Sequence, residues 1–509
     1  MILFGALVLS TIAFVPLDDR PVTAALPVQL GRIAGVRVDE PPPALLGNYL
    51  QAGDADAIVD WIGERAARSE TGAFVVSSDM LAYGGLIASR VPGVGYAGAD
   101  FRLRALDRVR ERRPNDWIST FGTVMRLAPT GIPAGTPFFA AFPLWQLLQQ
   151  YANLPDPLPQ QDQAYAARLQ TAIGPAALGQ YLATRERNLG VDRLLLQMTA
   201  RGTIDRLVLG QDDAGPVGLH VREVAQLRQI VASDPALQAR VSIEPGADEL
   251  GMALVANALA RAAHWRPHVS VAYSTPEGAL VQDPLEFAPV SDAVDGLIGI
   301  CGGVRDDARP DVALFVRVPR TSPAQDDAFA AAMTADADAG IPVALADISF
   351  LQSYASQAAF AQRILASGLA ARLDAYASWN TNANTVGTAL AEAIAAGAGR
   401  RRKTYDALAH RTFTFVRFVD DYAYHDDVRP ELNAWLDAQG IGDHTLLAPD
   451  VANRAAARDR ALLWREALEI LPQLDPGYHL AAIQIGLPWD RTFETSVQAA
   501  IAPDLASAR

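Results

Sequence analysis

Residues 205–216 read DRLVLGQDDAGP. The apolar run Leu207–Gly210 leads through Gln211 into two adjacent carboxylates, Asp212 and Asp213, and Gly215-Pro216 then turns the chain. A short continuous apolar run closed by turn residues marks a strand buried on both faces, the kind found in parallel sheets. The next segment, VREVAQLRQIVAS (221–233), carries apolar residues at helical spacing. The two aspartates therefore stand where a buried strand ends and a helix is about to begin. Like charges placed there need a reason.

The same beat recurs along the chain. Strand-like runs that end in polar residues appear at 11–21 (TIAFVPLDDRP), 72–85 (GAFVVSSDMLAYGG), 117–129 (WISTFGTVMRLAP) and 240–251 (RVSIEPGADELG). More follow at 268–278, 312–320, 341–350 and 374–384, with helical stretches such as 54–69 and 251–265 between them. Alternating strand and helix predicts an α/β protein with a parallel sheet. About eight or nine units predict a (β/α)8 TIM-like barrel over residues 1–399, with doubly wound parallel sheets as the alternative. A Pro- and Gln-containing insertion at about 131–200 is expected to form a helical flap over the strand ends. Residues 400–509, where the beat fades, are expected to form a mainly helical C-terminal domain or extension.

Composition narrows the function. The chain has 509 residues, half of them hydrophobic, and a formal net charge of −14. The basic residues gather in short clusters such as GRRRK at 399–403, read as a helix terminus or solvated loop. A nucleic-acid surface needs more grouped cations than that. The lone Cys301 rules out an intrachain disulfide or a thiolate zinc site and reads as a small buried hydrophobe. The seven histidines show no HExxH, and no metal or cofactor is expected. The apolar start, MILFGALVLSTIAF, is too short to span a bilayer and lacks the cationic flank of a signal peptide. No integral membrane segment is expected, and cytoplasmic and exported locations both stay open.

In either α/β architecture the carboxyl ends of the strands face the functional site. Those ends carry Asp18, Asp19, Asp79, Asp212, Asp213, Asp248, Glu249 and Asp347, with Arg20, Arg90, Arg126 and Arg317 among them. Any one aspartate could be a helix cap or a turn residue. The set, on one rim, suggests paired carboxylates for acid catalysis or oxygen ligands for a divalent cation. Near the last run, SWNTNANTVGTALAEAIA (378–395) places Trp379, Asn380 and Asn382 before an Ala-rich helix. Asn amides suit sugar hydroxyls and an indole can stack on a pyranose face. The bland reading is helix capping by Asn384 or Thr385, with Trp379 in the core. Tyr83 stands beside the Gly84-Gly85 turn, where no nucleotide-loop spacing is present.

Several stretches, among them VPLDDRPVT (15–23), SSDMLAYGGLIASR (77–90), GQDDAGPVG (210–218), GADELGM (246–252), ASWNTNANTVGTAL (377–390) and LPWDRTFE (487–494), resemble the bacterial family catalogued as domain of unknown function 4127. That resemblance runs over nearly the whole chain and implies no activity. A strand ending in Asp-Asp, with a Trp-Asn segment at the last strand, also looks like the barrels of O-GlcNAcase and hyaluronidase-like glycoside hydrolases. This second likeness implies substrate-assisted cleavage of an N-acetylhexosaminide. Asp212 would polarise the acetamido nitrogen, Asp213 would protonate the leaving oxygen, and Asn380 or Asn382 would bind sugar hydroxyls. The lysine those families place near the third strand is missing, and Arg126 occupies the comparable region.

Three functions are therefore expected in descending order. The first is a glycoside hydrolase with Asp212 and Asp213 as catalytic residues. Asp18, Asp19, Arg20, Asp79, Tyr83, Arg126, Asp248, Glu249, Trp379, Asn380 and Asn382 would bind its small-molecule or oligosaccharide substrate. The second is a metal-dependent hydrolase of phosphoesters or amides. The third is a non-catalytic carbohydrate-binding protein.

Overall fold

The structure, a computed structural model, describes residues 11–127, 131–132, 140–212, 215–349 and 354–504. The N-terminal apolar segment before Thr11 lies outside these residues, as does Asp213. The chain forms two compact units.

The first unit comprises residues 11–19, 37–254 and 282–288. Its strands are β1 (Thr11–Val15), β2 (Arg37–Asp39), β3 (Thr71–Ser77), β4 (Trp117–Val124), the two-residue pair β5 (Gly131–Ile132) and β6 (Ala140–Ala141), β7 (Arg206–Gln211) and β8 (Val241–Pro245). Six of them form one sheet in the order β2-β1-β3-β4-β7-β8. Every pairing in it is parallel. β1 is buried along its whole length, and β4 and β7 beyond their first residue. This burial explains why their sequences read as unbroken apolar runs and not as alternation. Gly210, in β7, meets a specific constraint. A Cβ there would press into the carbonyl oxygen of Gly246 and come within 2.7 Å of Leu250 Cδ1. Gly210→Ala is therefore expected to destabilise the protein by roughly 1–3 kcal/mol, seen as a lower urea midpoint with an unchanged slope.

The insertion holds the helices Phe142–Ala152, Gln163–Ile173 and Pro175–Ala200 after the short β5 and β6. A separate small core joins Leu148, Leu169, Ile173 and Tyr181 to Met125 and Leu127, which follow β4. Tyr181 donates its hydroxyl to the Leu127 carbonyl at 2.6 Å. Arg185 donates to the carbonyls of Met125 and Arg126 and pairs with Glu223. These bonds tie the insertion to the carboxyl end of the sheet.

The second unit comprises residues 20–36, 255–281 and 289–504 of the described chain. Its strands are β9 (His268–Tyr273), β10 (Val304–Arg305), β11 (Val312–Arg317), β12 (Val343–Asp347) and β13 (Ala375–Ala377), followed by the hairpin β14 (Tyr478–Gly486) and β15 (Ser496–Pro503). The first five make a parallel sheet in the order β10-β9-β11-β12-β13. The helix Asn382–Arg402 that follows β13 is buried along nearly all of its length, which fits its Ala- and Gly-rich sequence.

The strands thus pair as two open sheets of six and five strands, in place of the single closed barrel that the rhythm suggested. In each sheet the second strand in chain order lies outside the first, and the later strands extend the other way. That is the strand order of an open α/β sheet wound outward from a central switch point. Among the described residues no helix is long and apolar enough to cross a membrane. Cys301 is buried, as a small hydrophobe would be.

Candidate functional site

In the first unit the predicted residues do stand at the carboxyl ends of the strands. Asp18 and Asp19 follow β1, Asp79 and Tyr83 follow β3, Arg126 follows β4, Asp212 follows β7, and Asp248 and Glu249 follow β8. β3 ends on Ser77, whose hydroxyl accepts from the Met80 amide and caps the short helix Ser78–Tyr83. Gly84, at φ 92°, closes that helix in a left-handed conformation. The turn puts Asp79 against β4, where one carboxylate oxygen accepts from the Thr123 amide at 2.8 Å and its hydroxyl at 3.0 Å.

Asp212 is held by the Arg90 guanidinium. This answers the question its sequence raised, because a cation from 122 residues away meets the strand-end carboxylate. Three further predicted groups have partners in this unit. Asp19 accepts from the Asn48 amide at 2.8 Å, Glu249 accepts from the Ala247 amide at 3.1 Å, and the Tyr83 ring lies under Arg187.

Burial pushes the Asp79 carboxyl up to about 6, against the two bonds from Thr123 and the nearby charges of Arg90 and Arg187. Burial, with Asp79 as a neighbouring charge, also raises Asp192 well above the usual range. A carboxyl raised in the folded state binds its proton more tightly there than in the unfolded chain. Its contribution to stability is therefore greatest at low pH and declines as pH rises from about 4 to about 6. Two pH units correspond to roughly 3 kcal/mol. Asp79→Asn is expected to flatten the stability–pH curve across that window, as measured by urea unfolding at stepped pH. An unchanged slope would show that Asp79 does not carry it.

The second unit contains a pocket beyond the carboxyl end of β13. Arg20, Trp379 and Asn380 line it together with Asp420, Asp421, His425, Phe493 and Glu494. The loop after β13 is firmly built. Asn380 sits at φ 57°, a left-handed conformation that Asn tolerates better than most residues. Its amide donates to Asn384 Oδ1 at 2.7 Å. Thr381, and not Asn384 or Thr385, caps the following helix. Thr385 Oγ1 bonds both the amide and the carbonyl of Trp379, and the indole N–H donates to Thr388 at 3.1 Å. Trp379 is thus a locked wall. Asn382 is buried one turn away, does not line the pocket, and its amide makes no hydrogen bond. Arg20, Trp379 and Asn380 meet in the second unit, where Arg317 and Asp347 also end β11 and β12, whereas Asp18, Asp19, Asp79, Asp212, Asp248 and Glu249 belong to the first.

The polar heart of the pocket comes from a π-helix, Phe418–Val428. π-Helical turns are rare and frequently occur at functional sites. Arg417, fully buried, donates to Asp420 Oδ2 at 2.9 Å and to Asp421 Oδ1 at 2.6 Å. The Ser378 amide completes Asp421 by donating to Oδ2 at 2.9 Å. Among the described residues, the bond from Arg417 to Oδ2 is the one hydrogen bond that the Asp420 carboxyl makes. One guanidinium thus serves two buried carboxyls. Burial raises both, and the neighbouring Asp420 charge helps carry Asp421 to about 7. Burial and the charges of Arg429 and Arg417 push His425 down to about 3, so its imidazole is neutral. Glu494 is bound in a two-point fork by Arg491, at 2.8 and 2.6 Å. Trp489 lies under both Arg20 and Arg491.

Sequence reading missed Asp420, Asp421 and His425 because FVRFVDDYAYHDDVRP looks like an ordinary helix with an aromatic face. The available signal was two further Asp-Asp doublets, at 420–421 and 426–427, inside an aromatic helix. Among the described residues no three His, Cys, Asp or Glu side chains converge closely enough to hold a metal ion.

A family model described as a protein of unknown function (DUF4127) matches residues 12–498. No curated protein matches the chain.

Proposed function

We propose, for a chain that belongs to the DUF4127 family, a glycoside hydrolase whose sugar sits in the second-unit pocket. The observation that carries this reading is the buried Asp420–Asp421 pair, both members of which Arg417 bonds. Two carboxyls beside one guanidinium retain a proton until pH rises through about 7, the value to which Asp421 is pushed. A carboxyl that titrates near neutrality inside a pocket is suited to general acid work.

In this reading Asp420, through its unbonded oxygen, delivers the pair's proton to the glycosidic oxygen as the bond to the anomeric carbon breaks. Water adds to that carbon, and its proton returns to the carboxylate pair. Asn380 and the neutral His425 bond sugar hydroxyls, and Trp379 with Phe493 forms the apolar wall. The Arg90–Asp212 ion pair of the first unit suits Asp212 to holding a polar group and not to donating a proton.

The test is a panel of aryl glycosides, led by N-acetylhexosaminides, with wild-type protein and Asp420→Asn. Cleavage that the variant loses supports the reading. Saturable sugar binding without turnover in wild type would make the protein a carbohydrate binder instead. Turnover abolished by chelator would point to metal-dependent hydrolysis.

A further inference from the structure

A second concave site lies at the opposite, amino-terminal end of β13. Asp374 immediately precedes β13, and a solvent-open cleft lies beside it. Arg372, Arg400 and Arg411 line it with Tyr405, His410 and Asp475. Arg400 belongs to the GRRRK cluster. It lies in the last turn of the helix Asn382–Arg402, one of the two expected readings of that cluster, and contributes to this wall.

The three arginines are tethered, one to each of three aspartates. Arg372 pairs with Asp338, Arg400 with Asp374 and Arg411 with Asp475. Their side chains are 38, 39 and 45% exposed. Ion pairs that wet contribute little stability and exchange readily for a better anion. A guanidinium has five N–H donors, and the aspartate bond occupies one terminal nitrogen of each.

The back wall is pre-set. The Asp374 carbonyl can only accept, so His410 Nε2, 2.8 Å away, carries the hydrogen. Nδ1 then accepts from the Tyr405 hydroxyl at 2.9 Å. The Tyr405 ring lies under Arg400, 4.8 Å from the guanidinium carbon, which holds that arginine at the cleft. On a chain of net charge −14, this cleft gathers three guanidiniums, each balanced by one aspartate.

We infer that this cleft binds a phosphate monoester or free phosphate. A dianion with three terminal oxygens offers acceptors to three planar forks, which one carboxylate does not. This site and the sugar pocket stand or fall separately.

Calorimetric titration of the full chain with inorganic phosphate and with a hexose 6-phosphate tests the inference. One saturable site is expected, weakened at least tenfold in Arg400→Gln and in Arg411→Gln. Asp475→Asn, which releases Arg411 from its carboxylate, is expected to tighten binding. Tighter binding of the ester identifies an esterified ligand, and equal binding identifies phosphate itself. If the two arginine variants do not fold, Arg372→Gln and Asp475→Asn, with their opposite expected signs, carry the test. Absence of saturable binding in the millimolar range, or affinity unchanged in the variants, overturns it.

Discussion

Asp420→Asn is expected to lower kcat by roughly 10²–10⁴-fold on any glycoside the protein cleaves, with KM little changed. The substitution is nearly isosteric, and an Asn oxygen can still accept from Arg417 Nη2, which lies 2.9 Å from Asp420 Oδ2. What disappears is the titratable group that lines the pocket. The Asp420 charge is also one reason Asp421 is raised. In the variant Asp421 loses that repulsion beside a full guanidinium and ionises at lower pH. Both effects remove the shared proton at neutral pH. Initial rates, with circular dichroism to confirm the fold, decide the matter. A variant with wild-type kcat would remove Asp420 from the chemistry.

Arg417→Met is expected to cost about 3–5 kcal/mol of stability at pH 8. Arg417 is 1% exposed and bonds both Asp420 and Asp421. Without it two buried carboxylates face each other with no cation between them. They recover by binding protons, so their folded-state affinity for protons rises further above that of the unfolded chain. A raised carboxyl loses its stabilising contribution as pH rises, so the variant's deficit should be largest above pH 7 and shrink toward pH 4. Replacing both aspartates by Asn in the Arg417→Met background should recover much of the loss, as a double-mutant cycle expects for coupled groups. Denaturant melts at pH 5 and pH 8 measure this. A deficit below about 1 kcal/mol at pH 8 would mean that the pair is not held by Arg417.

How much of this was legible in the sequence differs by element. Runs such as TIAFV and VALFV announced buried parallel strands because both faces of each are covered. The placement of acidic groups at strand ends followed from the same runs. The pairing order was hidden by β2 and β10, which have three and two residues and no apolar run to mark them. Yet these short outer strands turn each set into an open sheet with a switch point. The hairpin β14–β15 was missed because most of its residues are only partly buried, so no clean alternation betrays it. Trp379, Asn380 and Arg20 were legible as polar or aromatic punctuation. The π-helix was not, since its aromatic spacing is compatible with an α-helix and only the wider hydrogen bonding distinguishes the two.

The most direct measurement is the pH dependence of kcat/KM for the best aryl glycoside in the panel, from pH 5 to pH 9. The account predicts a one-proton fall in rate as pH rises through about 7, the value to which Asp421 is pushed, and its loss in Asp420→Asn. A profile flat across that range in wild type, or the same descending limb in the variant, would contradict the claim that the Asp420–Asp421 pair supplies the proton.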